Sequence, residues 1–234
     1  DAGWFHITGI TPALSSVAAE VSLSAVAEAK RRKLTVSCDL NFRKKLWRWD
    51  EGIEPGALAG TTMRRILPYV DVLIANEEDA AAVLGIHAED TDVDAGVLSV
   101  SKYPEVARRI CGEFSNLEMV AITLRESISA THNNWGAMLY DRAGDAPHFA
   151  PLSAGEYTPY EIRAIVDRVG GGDSFAAALI FALSTPEFQA APDAVAFAAA
   201  ASCLAHSIPG DFNFSSRNEV EALVRGSASG RVVR

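Results

Sequence analysis

Cysteine is scarce: Cys38, Cys111 and Cys203 are odd in number, far apart and in no CxxC pair, which suits a reducing compartment better than a disulfide framework. Cytoplasm is therefore the expected location. No apolar run approaches about eighteen residues without a charge or a helix breaker, so no segment is expected to span a bilayer. Positive charge is also short, with 21 Lys and Arg against 30 Asp and Glu and a formal net charge of -9. That balance argues against nucleic acid as the main partner, whereas small phosphorylated ligands need only local positive groups. Several catalytic signatures are missing too: there is no GxxxxGK[ST] loop, no HRD or DFG set and no GxSxG elbow. His6, His87, His132, His148 and His206 show no HExxH or paired spacing, which removes a catalytic zinc, and His6 reads as a hydrogen-bonded core residue of a buried strand. The run AEDTDVDAG (88–96) sets Asp90, Asp92 and Asp94 at alternate positions like a calcium loop. Ala95 stands where that loop needs glycine and Ser101 where it needs glutamate, so a solvated acidic loop is expected.

What is present is a chain of 234 residues, 49% hydrophobic, with material for one sizeable core. Trp4 to Ile10 resembles a buried strand. Leu14, Val17, Val21 and Ala25 then mark one face of a helix that closes on Lys30, Arg31, Arg32 and Lys33, a basic finish suited to the negative end of the helix dipole. Strands follow at 34–40, 70–75 and 119–124, with a helix over Tyr103 to Phe114 before the last. This alternation indicates βαβ units and a parallel sheet with helices on both faces. Beyond Leu124 the short runs GAMLYDR, APHFAP and YEIRAIV suggest antiparallel strands at one sheet edge. The final third is alanine-rich and helical at 172–184, 187–207 and 217–225.

IVDRVGGGDSFAAALIFAL (165–183) joins a strand-like run to a helix whose apolar face carries Phe175, Leu179 and Leu183. Gly170, Gly171 and Gly172 thus fall at a helix N-terminus, where unpaired N–H groups and the dipole favour an anion. A carboxylate there, Asp173, would repel a phosphate unless it had a task of its own. Accepting a proton from an attacking hydroxyl, while the amides stabilise a transferring group, is such a task. Taken alone, GGGD is equally a tight turn with Asp173 as helix cap. Context bears on the choice: DLNFRKKLW (39–47), NEED (76–79) and DRVGGGD (167–173) each follow a strand, and in an open parallel sheet the C-terminal strand ends line the ligand crevice.

With these motifs in this order the chain resembles the ribokinase (PfkB) family of sugar kinases. DRVGGGD matches the family's DxxGxGD signature, with Gly171 at a position often held by alanine. ITLRES, NNWGAMLYD and the closing GDFNFSSRNEVEALVRGSASGRVVR extend the resemblance from about Trp4 to Arg234, and they are most similar to the branch acting on 2-keto-3-deoxygluconate. The resemblance implies an α/β, ribokinase-like three-layer αβα fold with a mainly parallel Rossmann-like sheet. Residues 1–234 would be the C-terminal two-thirds of a single kinase domain, without the family's N-terminal strands and β lid, so weak or no activity is expected of them alone.

Carried over by residue, the resemblance makes Asp173 the catalytic base and gives Gly170, Gly171 and Gly172 the phosphoryl group in flight. Asn76 and Asp79 would position Mg²⁺ through water, Asp79 standing where the family usually has the longer glutamate. Arg43, with Asn41, would reach the phosphates or the substrate. Thr123, Arg125 and Ser127 would lie along the ATP channel, Arg125 replacing a glycine common in the wider family. Ser202 would border the purine and Asp211 the sugar. ATP and Mg²⁺ are the implied cofactors, with room for a monovalent cation; the implied partners are ATP and a small sugar acid, with no nucleic acid or membrane, and a homo-oligomer at full length. Two alternatives stay open: another acceptor (ribose, fructose or a nucleoside), or a sensor that binds nucleotide or sugar without turnover.

Overall fold

The computed structural model describes residues 2–87 and 100–226. The acidic loop of 88–96 lies outside them, as does the closing stretch 227–234. The described residues fall into two compact units, one of 2–87, 100–122 and 140–146, the other of 123–139 and 147–226.

The first unit opens with β1 (Trp4–Thr8), the short α1 (Ile10–Ala13), α2 (Ser16–Arg31) and β2 (Thr35–Asp39). It continues through α3 (Pro55–Ile66), β3 (Val72–Ala75), α4 (Glu77–Asp79) running into a π turn at Ala80–Leu84, α5 (Tyr103–Glu113) and the head of β4 (Met119–Ser129). Strands β1, β2, β3 and β4 are neighbours in that order and all parallel, with Trp4 opposite Thr35, Ser37 opposite Val72 and Val72 opposite Met119. The βαβ alternation legible in the sequence is thus present as a parallel sheet. Its inner strand β3 is apolar throughout, Val72, Leu73, Ile74 and Ala75 all being buried, as a strand covered on both faces must be. Asp71 pins this sheet at its base, its carboxylate accepting from Val36 N at 2.8 Å and from Lys30 Nζ, at the end of α2, at 2.6 Å.

Among the described residues β1 lies at the end of the strand order, and of its residues only Ile7 is buried; His6 is hydrogen-bonded as expected, its Nδ1 paired with Ser37 Oγ at 2.8 Å, but it is exposed here. Leu14, just before α2, and Val17 and Val21 on it are each more than half exposed in the described chain, while Ala19, Ser22, Val26 and Ala29 form the buried face of the helix.

The second unit holds the rest of β4, most of β5 (His132–Asp141), β6 (Ala146–Ala150), a two-stranded hairpin of β7 (Leu152–Ser153) and β8 (Glu156–Tyr157), and β9 (Tyr160–Ile162). A two-residue turn joins β4 to β5, and β9 pairs antiparallel with β5, so the antiparallel edge expected after Leu124 is present. Then come α6 (Gly171–Leu183), α7 (Ala191–Ala205) and α8 (Arg217–Val224), the last closed by a Ser216–Glu219 capping box. Helix α6 packs along α7 through Phe175, Leu179, Ala182, Ala194, Ala198 and Ala201. Burying Phe175 alone contributes about 2 kcal/mol. Ile165 and Val166 are not in a strand: β9 ends at Ile162, and an irregular loop leads to the glycines. No helix among the described residues is long and apolar enough to cross a membrane.

Candidate active site

The glycines open α6 as expected. Gly170 is the N-cap at φ +78°, a left-handed conformation that costs a residue with Cβ about 1–2 kcal/mol. A second constraint acts there, since a Cβ on Gly170 would collide with the carbonyl of Asp211. The backbone of Asp211 therefore lies against the cradle, its side chain exposed. Gly171 N makes a long 3.4 Å bond back to Arg168 O, which leaves the following first-turn amides as the better anion donors. Asp173 sits exposed in the first turn, and among the described residues its carboxylate has no hydrogen-bond partner; the N-cap itself is Gly170, which has no side chain to cap with. It lines a cleft of about 440 Å³ together with Ala177, Phe181, Asp211, Phe212 and Arg217.

The loop before the glycines is organised by Asp167, which the motif contains but for which the sequence suggests no separate role. Its carboxylate accepts from Arg168 N at 2.7 Å, Val169 N at 3.0 Å and Gly210 N at 3.0 Å. Those amides, Val169 foremost, hold its carboxyl below the ordinary range. The neighbouring Arg168 binds Ser129 O at 2.9 Å and Ala130 O at 2.6 Å, tying the loop to the β4–β5 turn. An aspartate reaching the amide two residues on is a local signal that could have been read from the sequence.

Thr123, Arg125 and Ser127 alternate along β4 and so share one face, with Arg125 and Ser127 exposed. Ser202 differs from expectation. It is fully buried, and its hydroxyl donates to Gly171 O at 2.6 Å, so it holds the cradle from within rather than offering a surface to a purine.

In the first unit the loop after β2 and the turn after β3 meet, as parallel neighbours allow. Asn41, at φ +38°, donates from Nδ2 to Thr8 Oγ1 at 3.3 Å, and buried Leu40 and Trp47 anchor the loop on either side of Arg43. Arg43 is exposed, with Nη1 on Phe42 O at 3.2 Å. Asp79 is buried and accepts from Phe42 N at 3.0 Å and from Asn76 N at 3.3 Å, while Asn76 Oδ1 accepts from Asp79 N at 2.7 Å. Burial raises the Asp79 carboxyl above its ordinary range, against the two amides and the charge of Arg43. Asn76 and Asp79 are thus brought together, but their oxygens are engaged with the backbone. Among the described residues no cluster of three or more His, Cys, Asp or Glu could hold a metal. No direct ligand set of that kind is present for Mg²⁺ among the described residues. Burial disfavours the thiolate at all three cysteines, pushing Cys111 up to about 11, Cys203 up to about 12 and Cys38 higher still.

No protein-family model matches the sequence. The chain is 30% identical over 230 residues to a 2-dehydro-3-deoxygalactonokinase from Haloferax volcanii, covering 98% of itself and 59% of that protein. Among solved structures, a 2-dehydro-3-deoxygluconokinase from Thermotoga maritima is 44% identical with a TM-score of 0.81, over 96% of this chain and 61% of that one. A PfkB family carbohydrate kinase from Listeria grayi is 31% identical with a TM-score of 0.77, over 95% and 60%. The chain therefore spans about three-fifths of the length of the relatives it matches, and its kinship, in sequence and in structure, is with carbohydrate kinases of α/β, ribokinase-like fold.

Proposed function

We propose that the protein phosphorylates a 2-keto-3-deoxy sugar acid, converting 2-dehydro-3-deoxy-D-gluconate and ATP to 2-dehydro-3-deoxy-6-phospho-D-gluconate and ADP. The observation that carries this reading is an exposed carboxylate, Asp173, in the first turn of a helix whose N-cap is a left-handed glycine. An exposed carboxylate beside an anion cradle has a use when a hydroxyl must lose a proton as it attacks a phosphoryl group. The Thermotoga 2-dehydro-3-deoxygluconokinase and the Haloferax 2-dehydro-3-deoxygalactonokinase suggest the acceptor class.

The acceptor hydroxyl oxygen attacks the γ-phosphorus in line, its proton passes to an Asp173 carboxylate oxygen, and the bond to the β-phosphate oxygen breaks to release ADP. The first-turn amides of α6 stabilise the equatorial oxygens during transfer. Arg43 and Asn41 are assigned to phosphate or substrate, Thr123, Arg125 and Ser127 to the nucleotide, and the exposed Asp211 to the acceptor. Mg²⁺ would arrive with ATP and neutralise part of its phosphate charge. The galacto epimer is a second acceptor to test, because the Haloferax relative carries that activity.

Asp173→Asn is the direct test. It should retain ATP binding in calorimetry and lower kcat by about 10²–10⁴. Turnover within about twofold of the parent would refute the assignment of the base.

A further inference from the structure

Two residues one turn apart at the end of α7 act on the same glycine. Ser202 donates its hydroxyl to Gly171 O at 2.6 Å, and the imidazole of His206 covers the Cα of Gly171. A Cβ added at Gly171 would stand 3.0 Å from His206 Cε1 and 3.3 Å from Nε2, closer than side chains ordinarily pack. The ring is held in place: its Nδ1 donates to Ser202 O at 2.8 Å, and Trp135 packs against it at 5.2 Å between ring centroids, tilted 53°. His206 and Trp135 are 3% and 5% exposed, and the indole N–H of Trp135 finds no acceptor among the described residues, so the indole is placed by packing alone. The carbonyl of His206 in turn accepts from Val166 N at 2.8 Å, fixing the loop that enters the cradle.

We propose that His206 is a positioning residue of the cradle: its ring braces Gly171 from behind, sets where the first-turn amides of α6 lie, and restricts position 171 to glycine. Burial, with Arg125 and Arg168 nearby, keeps the ring below the ordinary imidazole range, although its bond to the Ser202 carbonyl acts the other way. A neutral ring with its proton on Nδ1 keeps that bond and turns the Cε1 and Nε2 edge toward the glycine. The bracing stands on geometry alone; only its effect on turnover rests on the kinase reading above.

His206→Asn separates the two functions of the ring. The asparagine amide can replace Nδ1 as donor to Ser202 O but lacks the Cε1 and Nε2 edge that meets Gly171. Gly171→Ala should therefore lower the melting temperature by several degrees in the parent and by less than half as much in the His206→Asn background, a coupling that a merely additive packing role would not give. In the phosphotransfer assay His206→Asn should lower kcat about tenfold with KM for ATP changed less than about threefold, because the amides are displaced rather than removed. Equal melting shifts of Gly171→Ala in the two backgrounds would overturn the brace, as would an unchanged kcat in His206→Asn. If the parent turned over no sugar acid while the melting cycle showed the coupling, the kinase reading would fall and the brace would stand.

Discussion

Replacing Gly170 by alanine places a methyl group where the chain has two independent reasons to exclude one. The residue holds φ +78°, which costs an L residue about 1–2 kcal/mol. The new Cβ would also lie against Asp211, 3.0 Å from its carbonyl carbon and 3.0 Å from its Cα, with the carbonyl oxygen nearer still. These are backbone atoms, so no rotamer change relieves the contact. The 207–211 loop has to move, and that movement strains the bond from Gly210 N to Asp167 Oδ2. Overpacking of this kind costs about 1–3 kcal/mol, and together with the backbone term the loss is about 3 kcal/mol. Gly172, two residues on, is the control: a Cβ there meets nothing within 4 Å, and alanine within a helix gains about 0.5–1 kcal/mol over glycine. Urea unfolding of the two variants should differ by about 4 kcal/mol, and thermal unfolding by about 10 °C for a chain of this size. Stabilities within about 1 kcal/mol of each other would refute the left-handed cap and the close approach of Asp211.

Asp167→Asn tests the loop clamp through pH. Backbone amides lower the folded-state pKa of Asp167 beneath its unfolded value of 3.8, so its contribution is present above that value and is lost as pH falls through the folded one. The parent should lose melting temperature more steeply than the variant on acidification from about pH 5 to about pH 3, and parallel curves would contradict the clamp. In the first unit, Asp79→Asn keeps the shape but puts an NH₂ opposite a backbone donor, since Phe42 N and Asn76 N both point at the carboxylate. A loss of about 2 kcal/mol in chemical unfolding is expected, and an unchanged stability would return Asp79 to a role toward ligand alone.

Local order in the chain was largely legible because periodicity and capping act over a few residues. The parallel strands, the helix from Tyr103 and the glycine N-terminus of α6 all follow from such short-range patterns. What escaped depends on which faces become covered. Leu14, Val17 and Val21 recur at apolar spacing, yet the buried face of α2 carries Ala19, Ser22, Val26 and Ala29, a difference that spacing alone does not reveal. The exposure of His6 likewise depends on what lies beside its strand, which no local pattern states. At the candidate site, Asp173 and the glycines could be named from spacing and the charge logic of a helix N-terminus. Ser202 could not be placed, since whether its hydroxyl faces ligand or Gly171 O is decided by the packing of α7 on α6, thirty-one residues away in sequence. His206 was hidden for the same reason: its bond to Ser202 O is a local contact at the end of α7, and its meaning lies in the missing Cβ of Gly171.

The most direct test of phosphotransfer to a keto-deoxy sugar acid is a coupled ADP-release assay on the full-length protein, comparing 2-dehydro-3-deoxy-D-gluconate, its galacto epimer, ribose and fructose at equal concentration with ATP and Mg²⁺. We predict ADP release with one or both keto-deoxy acids and little with ribose or fructose. Turnover confined to ribose or fructose would contradict the acceptor, and ATP binding without ADP release on any of the four would contradict catalysis itself.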